Sequence, residues 1–174
     1  GVGTNGIGTA LAEGRMVTVF RDQHFLSANI GLSCTSAPVR DHKGQISFPG
    51  GATDPEDGSV LHTALRETHE EIGVEPEHVE VLGQLDDMVT VSNFKVTPYV
   101  AWLDCYPYDW QFSHHEVAYL LEVPLDHLRD PRNLIPDRRV INGREYEFQS
   151  YQFGEDLIWG ATARMLGNFL DILQ

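Results

Sequence analysis

Short apolar runs bounded by turn-forming residues recur along the chain, and this pattern is typical of β-strands. Glycine, proline and acidic turn residues separate the runs and set their ends. The runs predicted to be strands are residues 16–20, 31–39, 46–48, 79–85, 95–103 and 117–123, with a weaker pair at 139–141 and 145–148. A turn at Pro49, Gly50 and Gly51 is predicted to follow the third run.

Two longer segments repeat their apolar residues at helical spacing. The first spans residues 60–73, with Gly73 as its end and Asp57 or Ser59 as its candidate N-terminal cap. The second spans residues 156–172, and its apolar stripe is interpreted as core packing. The apolar faces consist of Leu61, Ala64, Leu65, Thr68 and Ile72, and of Ile158, Ala161, Met165, Phe169 and Ile172. Strands between two such helices predict an α/β fold, an α/β/α sandwich with a mixed sheet.

Length and composition indicate one soluble domain, because 174 residues with 41% hydrophobic and 22% charged residues suffice for a single core. No apolar run approaches the roughly 20 residues of a membrane helix. Residues 1–12 lack the features of a signal peptide. We therefore expect a cytoplasmic protein. Cys34 and Cys105 form no CxxC pair, which favours two free thiols and leaves one disulfide open.

The net charge of the protein limits the classes of partner that it can bind. Twelve basic residues against 26 acidic ones give a net charge of −14. Such a surface repels nucleic-acid backbone and suits a protein that collects divalent cations. We expect a small anionic substrate, no nucleic acid and no membrane as partners. A homodimer is one assembly that the sequence allows.

Three carboxylates fall on one narrow face of the first predicted helix. Glu67, Glu70 and Glu71 stand at positions i, i+3 and i+4, which share a face at about 100° per residue. Like charges at this spacing repel one another. A hard cation such as Mg²⁺ or Mn²⁺ removes the repulsion, because it prefers oxygen ligands. Arg66 precedes Glu70 by four residues and is predicted to hold its carboxylate in a fixed rotamer.

A solvated acidic helix face is the alternative to a metal site, and most Glu-rich segments form such a face. The surrounding residues favour the metal site. Gly50 and Gly51 allow the backbone to approach closely, so a carbonyl there could complete the metal shell. Arg66 and Gly73 also accompany the three carboxylates, and a solvated acidic face would not require either residue at its position.

This constellation resembles a known family. Residues 51–74 contain the pattern Gly51-(x5)-Asp57-(x8)-Arg66-Glu67-Thr68-x-Glu70-Glu71-x-Gly73-Val74. It is similar to the Nudix box, G-x5-E-x7-R-E-U-x-E-E-x-G-U. Asp57 replaces a glutamate, the spacer is one residue longer, and Thr68 replaces an aliphatic residue. The resemblance implies a Nudix α/β/α sandwich and metal-dependent cleavage of a pyrophosphate bond.

A subgroup of this family, the coenzyme A pyrophosphatases, shares a second motif with the chain. The motif reads Arg40-(x3)-Gly44-(x3)-Phe48-Pro49-Gly50-Gly51. This resemblance implies coenzyme A or an acyl derivative as substrate, with Arg40 reaching a phosphate and Gly50 and Gly51 at the substrate. Thr35 stands where the subgroup has an arginine, and this departure leaves another nucleoside diphosphate derivative open as substrate.

The N-terminal part resembles a different family. Residues 3–11, 24–26 and 31–38 look like a fragment of the GAF sensor domain of acetoin-type transcriptional activators. We therefore expect one domain over residues 1–174, in which a GAF-like segment, residues 1–43, supplies strands to a Nudix core, residues 44–174. A recombinant chimera, an unusual gene fusion and ordinary divergence all fit this pattern.

The resemblance to the Nudix family also assigns roles. Glu67, Glu70 and Glu71 are the expected metal ligands, and Arg66 and Glu70 belong to the catalytic set. Glu116 begins a predicted strand after a polar loop and is the candidate for an additional carboxylate acting as general base. An exposed strand-end residue is the equal alternative for Glu116. Three functions compete: an active diphosphatase, a small-molecule sensor, which has too little GAF sequence to close a pocket, and a folded but inactive hybrid.

Overall fold

The computed structural model describes residues 11–21, 28–35, 44–90, 92–104 and 108–174. Its strands are β1 (Leu11–Arg21), β2 (Ala28–Thr35), β3 (Ile46–Ser47), β4 (Gly50–Ala52), β5 (Val79–Gln84), β6 (Met88–Val89), β7 (Phe94–Leu103), β8 (Val117–Pro124), β9 (Leu134–Ile141), β10 (Arg144–Phe153) and β11 (Asp156–Ile158). Its helices are α1 (Val60–Ile72), α2 (Leu125–Arg129) and α3 (Gly160–Ile172), with 3₁₀ turns at Pro76–His78 and Pro131–Asn133.

The central strand β1 organises a mixed sheet of eight strands. It runs parallel to β7, from Leu11 beside Phe94 to Val19 beside Trp102. It pairs antiparallel with β2 and β4. Strand β8 pairs with β2, and β5 and β6 pair with β7. The predicted mixed sheet is therefore confirmed, and the first 43 residues contribute two of its inner strands.

Successive residues of β1 point to opposite faces of this sheet, and each face carries a helix. Met16 packs with Ala64 of α1 on one face. Val17 belongs to the larger core cluster, which also includes Leu166 and Phe169 of α3. This arrangement is the expected α/β/α sandwich. No helix among the described residues is long and apolar enough to cross a membrane.

Helix α1 begins and ends where its sequence predicts. The hydroxyl of Ser59, not Asp57, caps the N-terminus by accepting a hydrogen bond from the backbone N–H of His62. Gly73 ends the helix in the left-handed region, with φ 73°. Thr68 is buried and donates its hydroxyl hydrogen to the Ala64 carbonyl at 2.6 Å. A threonine therefore fits where the Nudix box usually has an aliphatic residue.

Gly14 fixes how closely α1 approaches β1. A Cβ atom at this position would lie 2.4 Å from the Val60 carbonyl oxygen and 2.9 Å from the Ala64 nitrogen. We therefore expect Gly14→Ala to lower the unfolding midpoint by about 3–10 °C, because helix and strand must move apart. Gly83→Ala is the matched control, because a Cβ there meets nothing within 4 Å. Thermal unfolding followed by circular dichroism measures both, and equal midpoints would contradict this explanation of the packing.

The predicted turn at residues 49–51 is wrong in part, because Gly50 and Gly51 belong to strand β4. Gly50 pairs with Arg15 and Gly51 with Gly14. A Cβ on Gly50 would lie 2.1 Å from the Gly14 carbonyl oxygen. The glycines therefore permit close backbone pairing, which turn chemistry alone does not reveal.

Strands β9, β10 and β11 form a separate antiparallel sheet. The predicted pair at 139–141 and 145–148 is present but much longer. Most residues of β9 and of the first half of β10 are exposed, so the sequence shows no alternation of apolar and polar residues that would mark where these strands begin and end.

The helix predicted over 156–172 is wrong in its first turn. Ile158 fits a helical stripe, but its pairing with Tyr151 places it in β11, and α3 begins at Gly160.

Candidate functional site

Helix α1 presents the three predicted carboxylates next to strand β4. The side chain of Glu67 is 19% exposed, and that of Glu70 is 53% exposed. Glu71 is half-buried. A Cβ on Gly51 would lie 2.7 Å from the Glu67 carboxyl carbon, so glycine leaves the space that this carboxylate occupies. The helix and the double glycine therefore form one site.

Arg66 joins the acidic residues of this site. Its Nε and Nη2 donate to the two carboxylate oxygens of Asp57 at 2.7 and 3.0 Å. Its Nη1 donates to Glu67 at 2.9 Å and to Glu70 at 3.1 Å. The Glu70 contact is the one that the spacing predicts. The contact with Asp57 is bidentate, and the sequence did not predict it because eight residues, part of them in a loop, lie between the pair.

Asp57 is the buried anchor of the loop before α1, with its side chain 3% exposed. It also accepts hydrogen bonds from the Asp54 backbone N–H at 2.9 Å and from the Thr63 hydroxyl at 2.8 Å. The hydrogen bonds from Arg66 hold the pKa of Asp57 well below its ordinary range, and the other two bonds add to this. The aspartate that replaces the usual box glutamate thus ties the loop to Arg66.

This lowered pKa gives a pH-dependent prediction. A carboxylate whose pKa is lower in the folded state than in the unfolded state stabilises the fold at pH values above its unfolded-state pKa of about 3.9. This stabilisation is lost as the pH falls from there through the lower folded-state pKa. We expect Asp57→Asn to unfold about 3–10 °C below the wild type at pH 7. The difference should shrink as pH falls from about 4 towards 2. Thermal melts of both proteins at pH 7, 5, 4 and 3 test this, and a pH-independent difference would contradict it.

Glu71 is the most perturbed carboxylate of the site. Burial, followed by the negative charges of Glu67 and Glu116, raises its pKa to about 8. The cation of Arg15 and the backbone N–H of Gly50 act in the opposite direction. The pKa of Glu67 is also raised, first by burial and then by Glu70 and Glu116, against the opposing effect of Arg66. A cation bound between these side chains would relieve both effects.

Glu116 lies close enough to Glu67 and Glu71 for its charge to act on both. Its loop is held against α1 by the Ser113 backbone N–H, which donates to the Glu71 carbonyl at 2.9 Å. The Glu116 N–H in turn donates to the Ser113 carbonyl at 3.0 Å. Glu116 is exposed, as the alternative interpretation expected, and its charge also acts on the acidic cluster.

Arg15 is a residue of this site that the sequence did not reveal. Its Nη1 donates to the Phe48 carbonyl at 3.0 Å, and its Nη2 lies 3.1 Å from a Glu13 carboxylate oxygen. It stands opposite Gly50 in the β1–β4 pairing. Its position depends on that pairing, for which the local sequence carries no signal. Arg40, the predicted phosphate contact, lies outside the described residues.

The donor chemistry fits a hard divalent cation. Among the described residues, no three His, Cys, Asp or Glu side chains converge closely enough to enclose an ion. Mg²⁺ does not require such a cage, because it keeps several waters and usually binds one or two carboxylates plus substrate phosphates. The crowded carboxylates Glu67 and Glu71 beside glycine backbone match that ligand set.

The chain is similar to proteins of one family over most of its length. Residues 14–152 match the family model of the NUDIX domain. The chain is 39% identical to an uncharacterized Nudix hydrolase, NudL, of Pectobacterium atrosepticum, over 78% of this chain and 70% of that protein. It is 38% identical to NudL of Photorhabdus laumondii, over 82% and 76% of the two chains.

Solved structures with the same fold have lower sequence identity. The C. elegans Ap4A hydrolase in a binary complex shows a TM-score of 0.55 at 22% identity, over 66% of this chain and 80% of that one. The NUDIX domain of Shewanella oneidensis NrtR, crystallised with ADP ribose, shows a TM-score of 0.62 at 14% identity, over 99% and 94%. At these identities the likeness supports the fold alone.

Proposed function

Because the chain belongs to the Nudix hydrolase family, we propose that it is a metal-dependent diphosphatase for a nucleoside diphosphate derivative. Membership of the family makes it a hydrolase of phosphorus-containing anhydrides. One observation carries the more specific proposal. Glu71 is half-buried, hydrogen-bonded to the Gly50 backbone N–H and within reach of the charges of Glu67 and Glu116, where a bound cation would stabilise its carboxylate form.

Glu67, Glu70 and Glu71 would hold Mg²⁺ or Mn²⁺ in this proposal. Nudix hydrolases generally use such ions. When bound, the ion acidifies water and offsets negative charge on the phosphate oxygens. Arg66 keeps Glu67 and Glu70 oriented through its contacts at 2.9 and 3.1 Å. It acts as a positioning residue, because Asp57 holds its guanidinium from the other side.

Glu116 is the proposed general base. Its exposed carboxylate can reach solvent and faces the same cluster as the metal ligands. In the reaction, a water oxygen bonds to phosphorus, the bond from that phosphorus to the bridging oxygen breaks, and Glu116 takes a proton from the water. The products are two phosphate monoesters. A Glu116→Gln variant should therefore lose turnover while keeping its affinity for metal.

Two features of the chain bear on the substrate class. The shared motif around Gly44–Gly51 favours coenzyme A or an acyl derivative. Thr35, where the subgroup has an arginine, ends β2 and donates its hydroxyl hydrogen to the Gln45 carbonyl at 3.2 Å. This threonine is hydrogen-bonded to the Gln45 backbone and supplies no positive charge for a phosphate. Another nucleoside diphosphate derivative is therefore the alternative substrate.

A panel of anhydrides tests the proposal. Coenzyme A, ADP-ribose, NADH and dinucleoside polyphosphates should be incubated with purified protein, with and without Mg²⁺ or Mn²⁺. Metal-dependent cleavage of coenzyme A supports both the chemistry and the substrate. Cleavage of another compound keeps the chemistry and discards coenzyme A. If a folded sample cleaves none of them, the inactive hybrid with a GAF-like N-terminal segment is the better explanation.

A further inference from the structure

We propose that Arg15 binds an anionic oxygen of the substrate at the diphosphatase site. The inference rests on the function proposed above and adds a specificity-determining residue from β1. Arg15 stands opposite Gly50, and a Cβ on that glycine would lie 2.7 Å from Arg15 Cδ. The side chain therefore passes over the backbone that borders the carboxylate cluster.

The hydrogen bonds of Arg15 leave most of its donors available. A guanidinium carries five N–H groups. Arg15 uses one on the Phe48 carbonyl and one on Glu13. The other three have no acceptor among the residues that the structure describes. The side chain is 21% exposed, so a ligand from solvent can reach it.

Arg66, the other arginine of the site, cannot take this role. Its nitrogens make five contacts of 3.5 Å or less with carboxylate oxygens of four residues. Four of these contacts are hydrogen bonds, and the fifth is an ion pair with Asp54 at 3.5 Å. A phosphate at Arg66 would compete with these carboxylates, whereas three N–H groups of Arg15 have no acceptor among the described residues.

The charge of the site explains why such a contact is needed. An anionic substrate meets Glu13, Glu67, Glu71 and Glu116 as it approaches. Divalent ions would offset part of that charge, and Arg15 supplies a fixed positive charge that acts on Glu71. Guanidinium groups bind phosphate oxygens in a planar, bidentate geometry that lysine does not reproduce.

The experiment measures binding without turnover. The probe is imidodiphosphate, whose bridging nitrogen resists hydrolysis, titrated in the presence of Mg²⁺ by calorimetry. We expect Arg15→Ala to weaken binding by roughly tenfold to a hundredfold, and Arg15→Lys to weaken it less. Arg164→Ala is the matched control, because Arg164 is exposed on α3, which contributes no residue to this site. It should stay within about twofold of the wild type.

A second measurement separates substrate contact from a structural role. Mn²⁺ affinity, followed by electron paramagnetic resonance, should not fall in the Arg15 variants. A parallel loss of Mn²⁺ and imidodiphosphate affinity would mean that Arg15 only holds the Phe48–Gly51 backbone, and would overturn the proposal. Unchanged imidodiphosphate affinity in Arg15→Ala would also overturn it.

Two further outcomes keep this inference distinct from the proposed function. If Arg15→Ala does not fold, Arg15→Gln provides the same comparison, because it keeps an N–H donor for the Phe48 carbonyl and removes the charge. Wild-type protein that binds imidodiphosphate but cleaves no anhydride removes the proposed function, while the variants still decide the role of Arg15. Wild-type protein without affinity for imidodiphosphate overturns the role of Arg15, while cleavage in the anhydride panel decides the proposed function separately.

Discussion

Glu71→Gln should lower kcat/KM for the best anhydride substrate by on the order of 10³, while the protein still folds. A bound cation stabilises the negative charge of the phosphoryl-transfer transition state by several kcal/mol. Removing one of its ligands should therefore lose much of this stabilisation. The amide removes the charge of the carboxylate that burial and its neighbours perturb most. Steady-state kinetics with saturating Mg²⁺ measure the loss.

The stability of Glu71→Gln separates this explanation from simple misfolding. Without metal, its unfolding midpoint should equal or exceed that of the wild type, because a neutral amide replaces a half-buried carboxylate near like charges. The rise in midpoint that Mg²⁺ causes in the wild type should disappear, since a ligand stabilises only the state that it binds. Glu77→Gln, an exposed position after α1, is the control. Full activity in Glu71→Gln would remove this carboxylate from the mechanism.

Arg66→Lys should reduce kcat/KM by about 10²-fold and lower the unfolding midpoint by about 3–10 °C. Lysine keeps the charge but cannot form the two parallel hydrogen bonds to Asp57 and still reach Glu67 and Glu70. The buried Asp57 carboxylate then loses its bidentate partner and keeps only the Asp54 N–H and the Thr63 hydroxyl, and the metal ligands lose their orientation. Both effects arise from one side chain, so activity and stability should fall together.

Arg132→Lys provides the control for Arg66→Lys. Arg132 also pairs with an aspartate, Asp130 at 2.5 Å, but its side chain is 87% exposed. Exposed ion pairs contribute little, so this variant should match the wild type in activity and midpoint. If Arg66→Lys behaves in the same way as Arg132→Lys, the network around Arg66 does not position the site.

Helical spacing was the most informative feature of the sequence. It predicted α1 with its end at Gly73 and placed three carboxylates on one face, because local propensity and capping act within the segment itself. The proximity of Gly50 and Gly51 to that face also followed from the sequence. The assignment of Gly50 to a turn was wrong because only its pairing with Arg15 shows that the residue belongs to a strand.

The missed parts of the site depend on contacts between distant elements. The Arg66–Asp57 pair requires the loop before α1 to fold back over the helix, and the position of Arg15 requires the β1–β4 register. Strand β11 replaced the predicted first turn of α3 because Ile158 pairs across to Tyr151. The GAF-like origin of residues 1–43 stays a prediction, although the NUDIX match begins within that segment, at residue 14.

The central claim is that the protein hydrolyses an anhydride with a divalent cation held by the α1 carboxylates. Restoring turnover by returning metal is its most direct test. Protein freed of metal by chelation should be assayed on the best substrate of the panel, before and after Mg²⁺ or Mn²⁺ is returned. The account predicts no cleavage without metal, full recovery with it, and no recovery in Glu71→Gln. Cleavage that persists without metal, or equal recovery in Glu71→Gln, would contradict it.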